Sequence, residues 1–341
     1  MTNLTHANRE LFRRSHDERF ASLTTLAEFC RGQKQQSLDQ WHPPQTLRPI
    51  VRDGELRLAA NGDGEFRLND WSFGQLCSLA RVSRETVNKV FPETAARILT
   101  ETMPSGHKPL QVLTSDETVR SVHGVSYTRL WNIDLVNLVR EVATDFQPPQ
   151  EGCNGATGLY AGEQDLFAFL IDPTGWTEIE GEAFAPGFFV WNSEVGKRSV
   201  GISTFWFQAV CQNHIVWDAC EVVELTRKHT AGVGNVLTDI RRTLDALVAR
   251  RDERRDGFVK VIGKAMRERL GDDADDVLKE LAKNGIPRQY AKEALEIAKQ
   301  HGRFTIFSLV DALTRIAGQL INAGDRLELD AKAAQLLALA A

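Results

Sequence analysis

The sequence predicts an α+β fold, a largely antiparallel sheet with packed helices followed by an all-helical C-terminal region. Two observations carry this. From about residue 110 to residue 217, short runs rich in aromatic and β-branched residues are separated by glycine-bearing turns, the composition of strands. From Val236 to Ala341 the apolar residues recur at helical spacing, with Gly271, Gly285, Gly302 and Gly324 as punctuation. Strands first and helices afterwards is the order of an α+β chain, whereas a doubly wound sheet would alternate them. The chain divides into a loosely organised N-terminal segment (1–60), an α+β core domain (61–235) and a helical C-terminal region (236–341).

In order along the chain, Phe20, Leu23, Leu26, Ala27 and Cys30 predict one helix. The Gln- and Pro-rich stretch Gln33 to Gln45 reads as a linker. Two alternating runs, Glu55 to Leu58 and Glu65 to Leu68, flank Asn61-Gly62-Asp63-Gly64, which is a strong hairpin signal. Trp71 to Thr102 is helical with a break near Val82-Ser83. Leu110 to His123 is a hairpin around Ser115-Asp116-Glu117, and Leu130 to Phe146 an amphipathic helix. Strands follow at Leu166–Ile171, Phe188–Trp191, Ser199–Phe207 and Ala209–Trp217. Helices then cover Val236–Arg255, Phe258–Leu270, Ala274–Lys283, Pro287–Gln300, Ile306–Ile321 and Leu327–Leu339, with Pro287 placed as a first helical residue.

Composition narrows the function. The 341 residues carry 41 Lys and Arg against 46 Asp and Glu, a net charge of -5 that argues against wholesale polyelectrolyte binding but leaves room for a local basic patch. Five scattered cysteines with no CxxC pair exclude a zinc ribbon or a thioredoxin-type site, so they read as reduced, buried thiols. No two histidines sit at i, i+4 spacing, so no helical metal pair exists, and neither a metal nor a cofactor is expected. Signal-peptide character and a membrane span are both missing, and the chain is expected in the cytoplasm. Phosphate loop, GxGxxG, HExxH and GxSxG signatures are absent. Asp272-Asp273-Ala274-Asp275-Asp276 lacks the pattern of a calcium loop and reads as carboxylates at the positive end of a helix.

Three segments remain informative. Gln75 to Val90 has helix-turn-helix spacing. Leu76, Cys77 and Val87 point inward, the turn falls near Arg81, and Arg84, Glu85 and Asn88 would face a major groove. Arg81 is the weak point, because that turn position wants a positive φ. Ordinary helices packed on a sheet explain the same spacing. The second segment places polar residues at strand ends, Asn192, Ser193, Glu194, Gly196, Lys197 and Arg198, then Cys211 and Asn213, then Arg227, Lys228 and His229. Cys211 with His229 could form a nucleophile and base beside Glu194, or Cys211 could be an inert filler. The third, Arg227 to Arg269, holds twelve basic against six acidic residues. Arg241, Arg242, Arg250, Arg251, Arg254 and Arg255 recur on faces of one helix, either as a phosphate-tracking stripe or as a solvated surface of i, i+3 and i, i+4 pairs.

Taken in order, the segments Trp71 to Cys77, Val119 to Tyr127, Asn192 to Gly196, Val210 to Asn213, Arg227 to His229 and Asp311 to Ala317 resemble the phage/plasmid-like protein family, a domain of unknown function carried on prophages and conjugative plasmids. His214 departs from the small residue usual after Cys-Gln-Asn. The resemblance makes Asn192, Glu194, Gly196, Cys211 and Asn213 family-motif residues and implies a mobile-element context without chemistry. The leading expectation is a non-enzymatic, oligomeric protein. It binds single-stranded DNA through Arg227 to Arg269, Lys197 and Arg198, with the aromatic strand Phe205 to Phe207 stacking bases. A duplex-binding regulator and a small-molecule enzyme around Glu194, Cys211 and His229 are the alternatives.

Overall fold

The computed structural model describes residues 19–60, 62–149, 158–208, 214–216, 224–300 and 304–319. Near the C-terminus it also describes residues 329, 332, 333 and 335–340. It is an α+β fold with two sheets and a helical C-terminal region. No helix among the described residues is long and apolar enough to cross a membrane.

The first sheet has strand order β1-β5-β6-β4-β3-β2, from β1 (Ser37–His42), β2 (Leu47–Arg52), β3 (Glu55–Ala60), β4 (Gly64–Leu68), β5 (Leu110–Ser115) and β6 (Thr118–His123). Both expected hairpins form. Their turns carry positive φ at Gly62, Gly64 and Asp116, as tight antiparallel connections demand. Only β4 and β6 run parallel, through two residue pairs. One face of this sheet is covered by α2 (Asp70–Leu79), α3 (Arg84–Val87) and α4 (Pro92–Thr102), whose Leu76, Val87, Ala95 and Leu99 meet Leu58, Phe66, Val112 and Val119.

The N-terminal segment is better organised than its composition implies. Residues 33–45, read as a linker, hold the end of α1 (Leu23–Gln36), then β1 and a short 3-10 turn at Pro44–Thr46. Glutamine is a good helix former, so the Gln-rich run extends α1. Strand β1 exists because β5 pairs with it from Ser37↔Ser115 to His42↔Leu110, a partner about seventy residues away that local periodicity cannot show.

The second sheet runs β12-β11-β10-β8-β7, with β9 on β10 and β13 on β11. Its strands are β7 (Leu159–Ala161), β8 (Leu166–Ile171), β9 (Thr177–Ile179), β10 (Glu182–Asn192), β11 (Val200–Gln208), β12 (His214–Val216) and β13 (Glu224–Arg227). Strands β8, β10 and β11 are buried on both faces, which is why their sequences are nearly continuous apolar runs. Phe188, Val190 and Ile202 face α1, α5 (Asn132–Val142) and α6 (Val236–Ala249). Phe167, Phe169, Phe189, Trp191 and Phe205 fill the opposite face.

The C-terminal helices are α7 (Arg251–Arg267), α8 (Ala274–Lys283), α9 (Arg288–Gln300) and α10 (Ile306–Gln319). Asp273 caps α8 by accepting from the Asp276 N–H at 2.9 Å, the helix-start role expected of that acidic cluster. These helices share one core with Ile179, Phe184 and Trp206 of the second sheet, and Trp206 stacks on Phe258 with ring centroids 3.8 Å apart. The run Val236 to Arg255 is two helices that meet at Arg250, not the single helix expected from its charge pattern.

Candidate functional site

Where the two sheets meet, segments far apart in sequence converge on the turn Asn192 to Arg198 that follows β10. Glu194, 1% exposed, is the centre of the seam. Its carboxylate accepts from Arg120 on β6 at 3.1 Å and from the Asn132 backbone N–H, at the start of α5, at 2.8 Å. Its backbone carbonyl accepts from the Tyr127 hydroxyl at 2.8 Å and from Arg129. Arg129 in turn grips Asp39 of β1 with two parallel bonds of 2.8 and 3.0 Å, the fork geometry that guanidinium and carboxylate favour. Asn192 donates to the Leu130 carbonyl and the Asn132 side chain, both at 2.9 Å. Ser193 donates to Gln164, and Trp71 and His123 both donate to the Val195 carbonyl.

Aromatic rings stack above this network. His123 lies flat on Tyr127 at 3.6 Å, and His229 flanks the other side at 5.4 Å. Gly196 has φ 71° and sits so close that a Cβ there would meet the His123 and Tyr127 rings at 2.7 and 2.8 Å. The turn therefore requires glycine twice, for its backbone and for its space. His123 donates from Nε2 to Val195, which leaves Nδ1 to accept from Gln75; the ring is a neutral tautomer. Burial, helped by neighbouring Arg129, pushes its pKa down to about 3. Burial likewise pushes His229 down to about 4. Neither His229 ring nitrogen completes a hydrogen bond, although the Thr128 and Arg198 backbone lies close enough to offset part of the burial effect. Burial raises Tyr127 well above the ordinary phenol range, so its hydroxyl stays a donor.

The structure brings Asn192, Glu194, Gly196 and His229 together, while Cys211 and Asn213 lie outside the described residues. Glu194 is not poised as a base, because both carboxylate oxygens are already bonded. Arg120, His123, Tyr127, Arg129 and Asp39 belong to the same cluster and were not picked out from sequence. A buried arginine and histidine inside the alternating run 119–123 were the available signal. Among the described residues no group of His, Cys, Asp and Glu is arranged to hold a metal ion.

The basic candidates divide into two kinds. Arg198 is tied to buried Asp165 at 2.5 Å, and Arg251 to Asp172 at 2.5 Å, where Asp172 is 1% exposed. Lys197 bonds Gln164 and lies over the Trp71 ring. The others are on the surface: Arg241 with Glu141, Arg250 with Glu253 and Arg255 with Asp252 and Asp256 have exposed acidic partners, and Arg227 and Arg242 share the half-buried Asp239. Arg254 is half-buried and Lys228 exposed. Phe205, Trp206 and Phe207, expected to stack bases, are all core residues, 1%, 0% and 8% exposed. Alternation along a strand with one open face would leave some of them accessible, but this strand is covered on both faces.

In the segment Gln75 to Val90, Leu76, Cys77 and Val87 are buried as expected, and Arg81 does adopt the positive φ, 56°, of a helix-turn-helix turn. Yet α3 is a single turn of four residues and Arg84 is paired with Asp70. Fold and site together define an α+β protein whose two sheets are joined by a buried polar seam. No family model, curated protein or solved structure matches the chain.

Proposed function

We propose that this chain is a mobile-element protein, akin to the phage/plasmid-like family, that binds single-stranded DNA by its phosphates through the α6–α7 surface. The observation that carries this reading is the split among the arginines. Arg241, Arg250 and Arg255 pair with acids that are themselves exposed, Arg242 lies 3.8 Å from the half-buried Asp239, and such surface pairs hold little free energy. They can exchange a carboxylate for a phosphate, which a guanidinium grips with the same fork. Arg251 and Arg198 cannot, because their acids are buried. The burial of Phe205 to Phe207 removes base stacking by that strand, so the binding is electrostatic and indifferent to sequence.

The test is affinity for labelled single-stranded and duplex DNA against salt. Tight, salt-dependent preference for single strands is expected. Replacing Arg241, Arg242, Arg250 and Arg255 by Ala lowers the slope of log affinity against log salt by about 3, from roughly 0.7 per phosphate. Absence of binding at low salt overturns the reading, and a preference for duplex moves attention to Trp71 to Val90.

A second reading, chemistry at His229, is favoured by its neutral, buried ring with two unbonded nitrogens. Rapid modification of His229 by diethyl pyrocarbonate in the native protein would support it. An inert ring would leave His229 as packing for Tyr127.

A further inference from the structure

Phosphate contacts alone do not make a protein prefer single strands, because duplex DNA carries the denser row of charges. Such a preference needs a group that meets unpaired bases, and an aromatic ring does so whatever the base. Burial closes off Phe205 to Phe207. Among the described residues the exposed aromatic rings are Trp41 at 48%, Phe91 at 80% and Trp176 at 37%. Trp41 lies on β1 and Phe91 precedes α4, so both belong to the first sheet and its helices. Trp176 stands beside the exchangeable arginines.

Its place follows from the turn that leaves β8. Arg251, at the start of α7, holds two residues of that turn, pairing with Asp172 and donating to the Thr174 hydroxyl at 3.3 Å. Trp176 is two residues further on, at most about 7 Å of chain. Strand β9, which it immediately precedes, runs against α7, where Ile179 shares a core with Phe258, Val261 and Ile262. Arg255 lies one turn along from Arg251 on the same face of that helix, and Arg250 is its N-cap residue.

The ring is braced as well. Trp176 and Phe207 meet edge to face, with centroids 6.4 Å apart and planes at 75°. Gly175, just before it, packs so closely on β10 that a Cβ there would lie 2.7 Å from the Pro186 ring. A ring already held on one side and open on another loses little rotamer freedom when a base stacks on it. Glu178 is exposed two residues on, on the same side of the strand, and repels a phosphate. A base is thereby favoured over the backbone at the ring, and the backbone is turned toward Arg255.

We infer that Trp176 is the residue by which this surface recognises a single strand, stacking one base while Arg250 and Arg255 hold the neighbouring phosphates. The inference rests on the phosphate binding proposed for the α6–α7 surface, and it supplies that surface with its preference for unpaired strands.

Fluorescence anisotropy with a labelled thymidine oligonucleotide and an abasic one of the same length tests it, since the two carry the same phosphates and only one carries bases. The full chain is expected to bind the thymidine strand on the order of tenfold more tightly, within the roughly 5- to 150-fold that one stacked base is worth. Trp176→Phe keeps most of that ratio. Trp176→Leu, which retains an apolar contact with Phe207 but cannot stack, brings the ratio to about one. Each variant is compared with itself on two strands, so a general loss of binding does not pass for a loss of stacking. Equal affinity of the native chain for both strands overturns the assignment of Trp176 while the phosphate reading stands. A ratio that survives Trp176→Leu also overturns it and moves the stacking to Trp41 or Phe91. Binding of neither strand at low salt overturns the phosphate reading and this inference together.

Discussion

At the scale of single residues, the seam between the sheets depends on charges that have no water to fall back on. Arg120 and Glu194 are 5% and 1% exposed, so removing either strands the other. Glu194→Ala is expected to cost about 3–5 kcal/mol, the usual result of breaking a buried pair from one side. Replacing both together, Arg120→Met with Glu194→Ala, costs less than the sum of those two changes made singly, because no charge is left unpaired. Denaturant unfolding of the two single variants and the double closes the cycle, and strict additivity would show that the two side chains do not depend on each other. The sequence displayed Glu194 in a turn motif but hid its partner. Arg120 sits in a strand where alternation would aim a charged side chain at solvent, and only the second sheet above it makes that position interior.

At the scale of elements, one arginine adds a buried charge contact to the apolar packing of the α7 helix on the second sheet. Arg251 reaches Asp172 beyond the end of β8, where Asp172 also accepts from the Thr174 N–H at 2.9 Å and its hydroxyl at 2.7 Å. Arg242, one helix earlier, is 77% exposed and holds only Asp239 at 3.8 Å. Arg251→Ala should therefore lower the melting temperature clearly, leaving Asp172 buried without its counter-charge. Arg242→Ala should leave it within error. Equal effects in thermal unfolding would mean that the division between anchoring and exchangeable arginines is wrong. Sequence periodicity found helix residues here and most helix limits to within a few positions. It missed the break at Arg250 because neither Gly nor Pro marks it, and α7 begins anew once Arg251 turns toward the sheet.

At the scale of the whole molecule, the two sheets share two neutral histidines, which makes their union sensitive to acid. Both rings are held below the ordinary imidazole range in the folded protein, so the unfolded chain binds protons more readily. Their contribution to stability is complete above about pH 6.5. It declines as the pH falls, down to the region near pH 4 and pH 3 where the folded-state rings themselves take up protons. Arg129 stands near both rings, so each new charge arrives beside a fixed positive one. Melting temperatures between pH 7 and pH 4 should fall less steeply in a variant carrying His123→Asn and His229→Asn than in the native chain. Parallel curves would show that the rings titrate freely.

The sequence by itself determined the α+β class, both hairpins of the first sheet, the buried apolar strands at 166–171 and 188–191 and the helical character of the C-terminal region. Each follows from local patterns, period-two alternation, turn residues and 3.6-residue spacing, which act between neighbours in the chain. Tertiary structure alone decided the rest. It paired β1 with β5, divided the arginines into anchored and exchangeable, buried Phe205 to Phe207, and gathered residues 39, 120–132, 192–196 and 229 at one seam. Those outcomes depend on contacts between segments tens of residues apart, where no single stretch of sequence records what will lie above it.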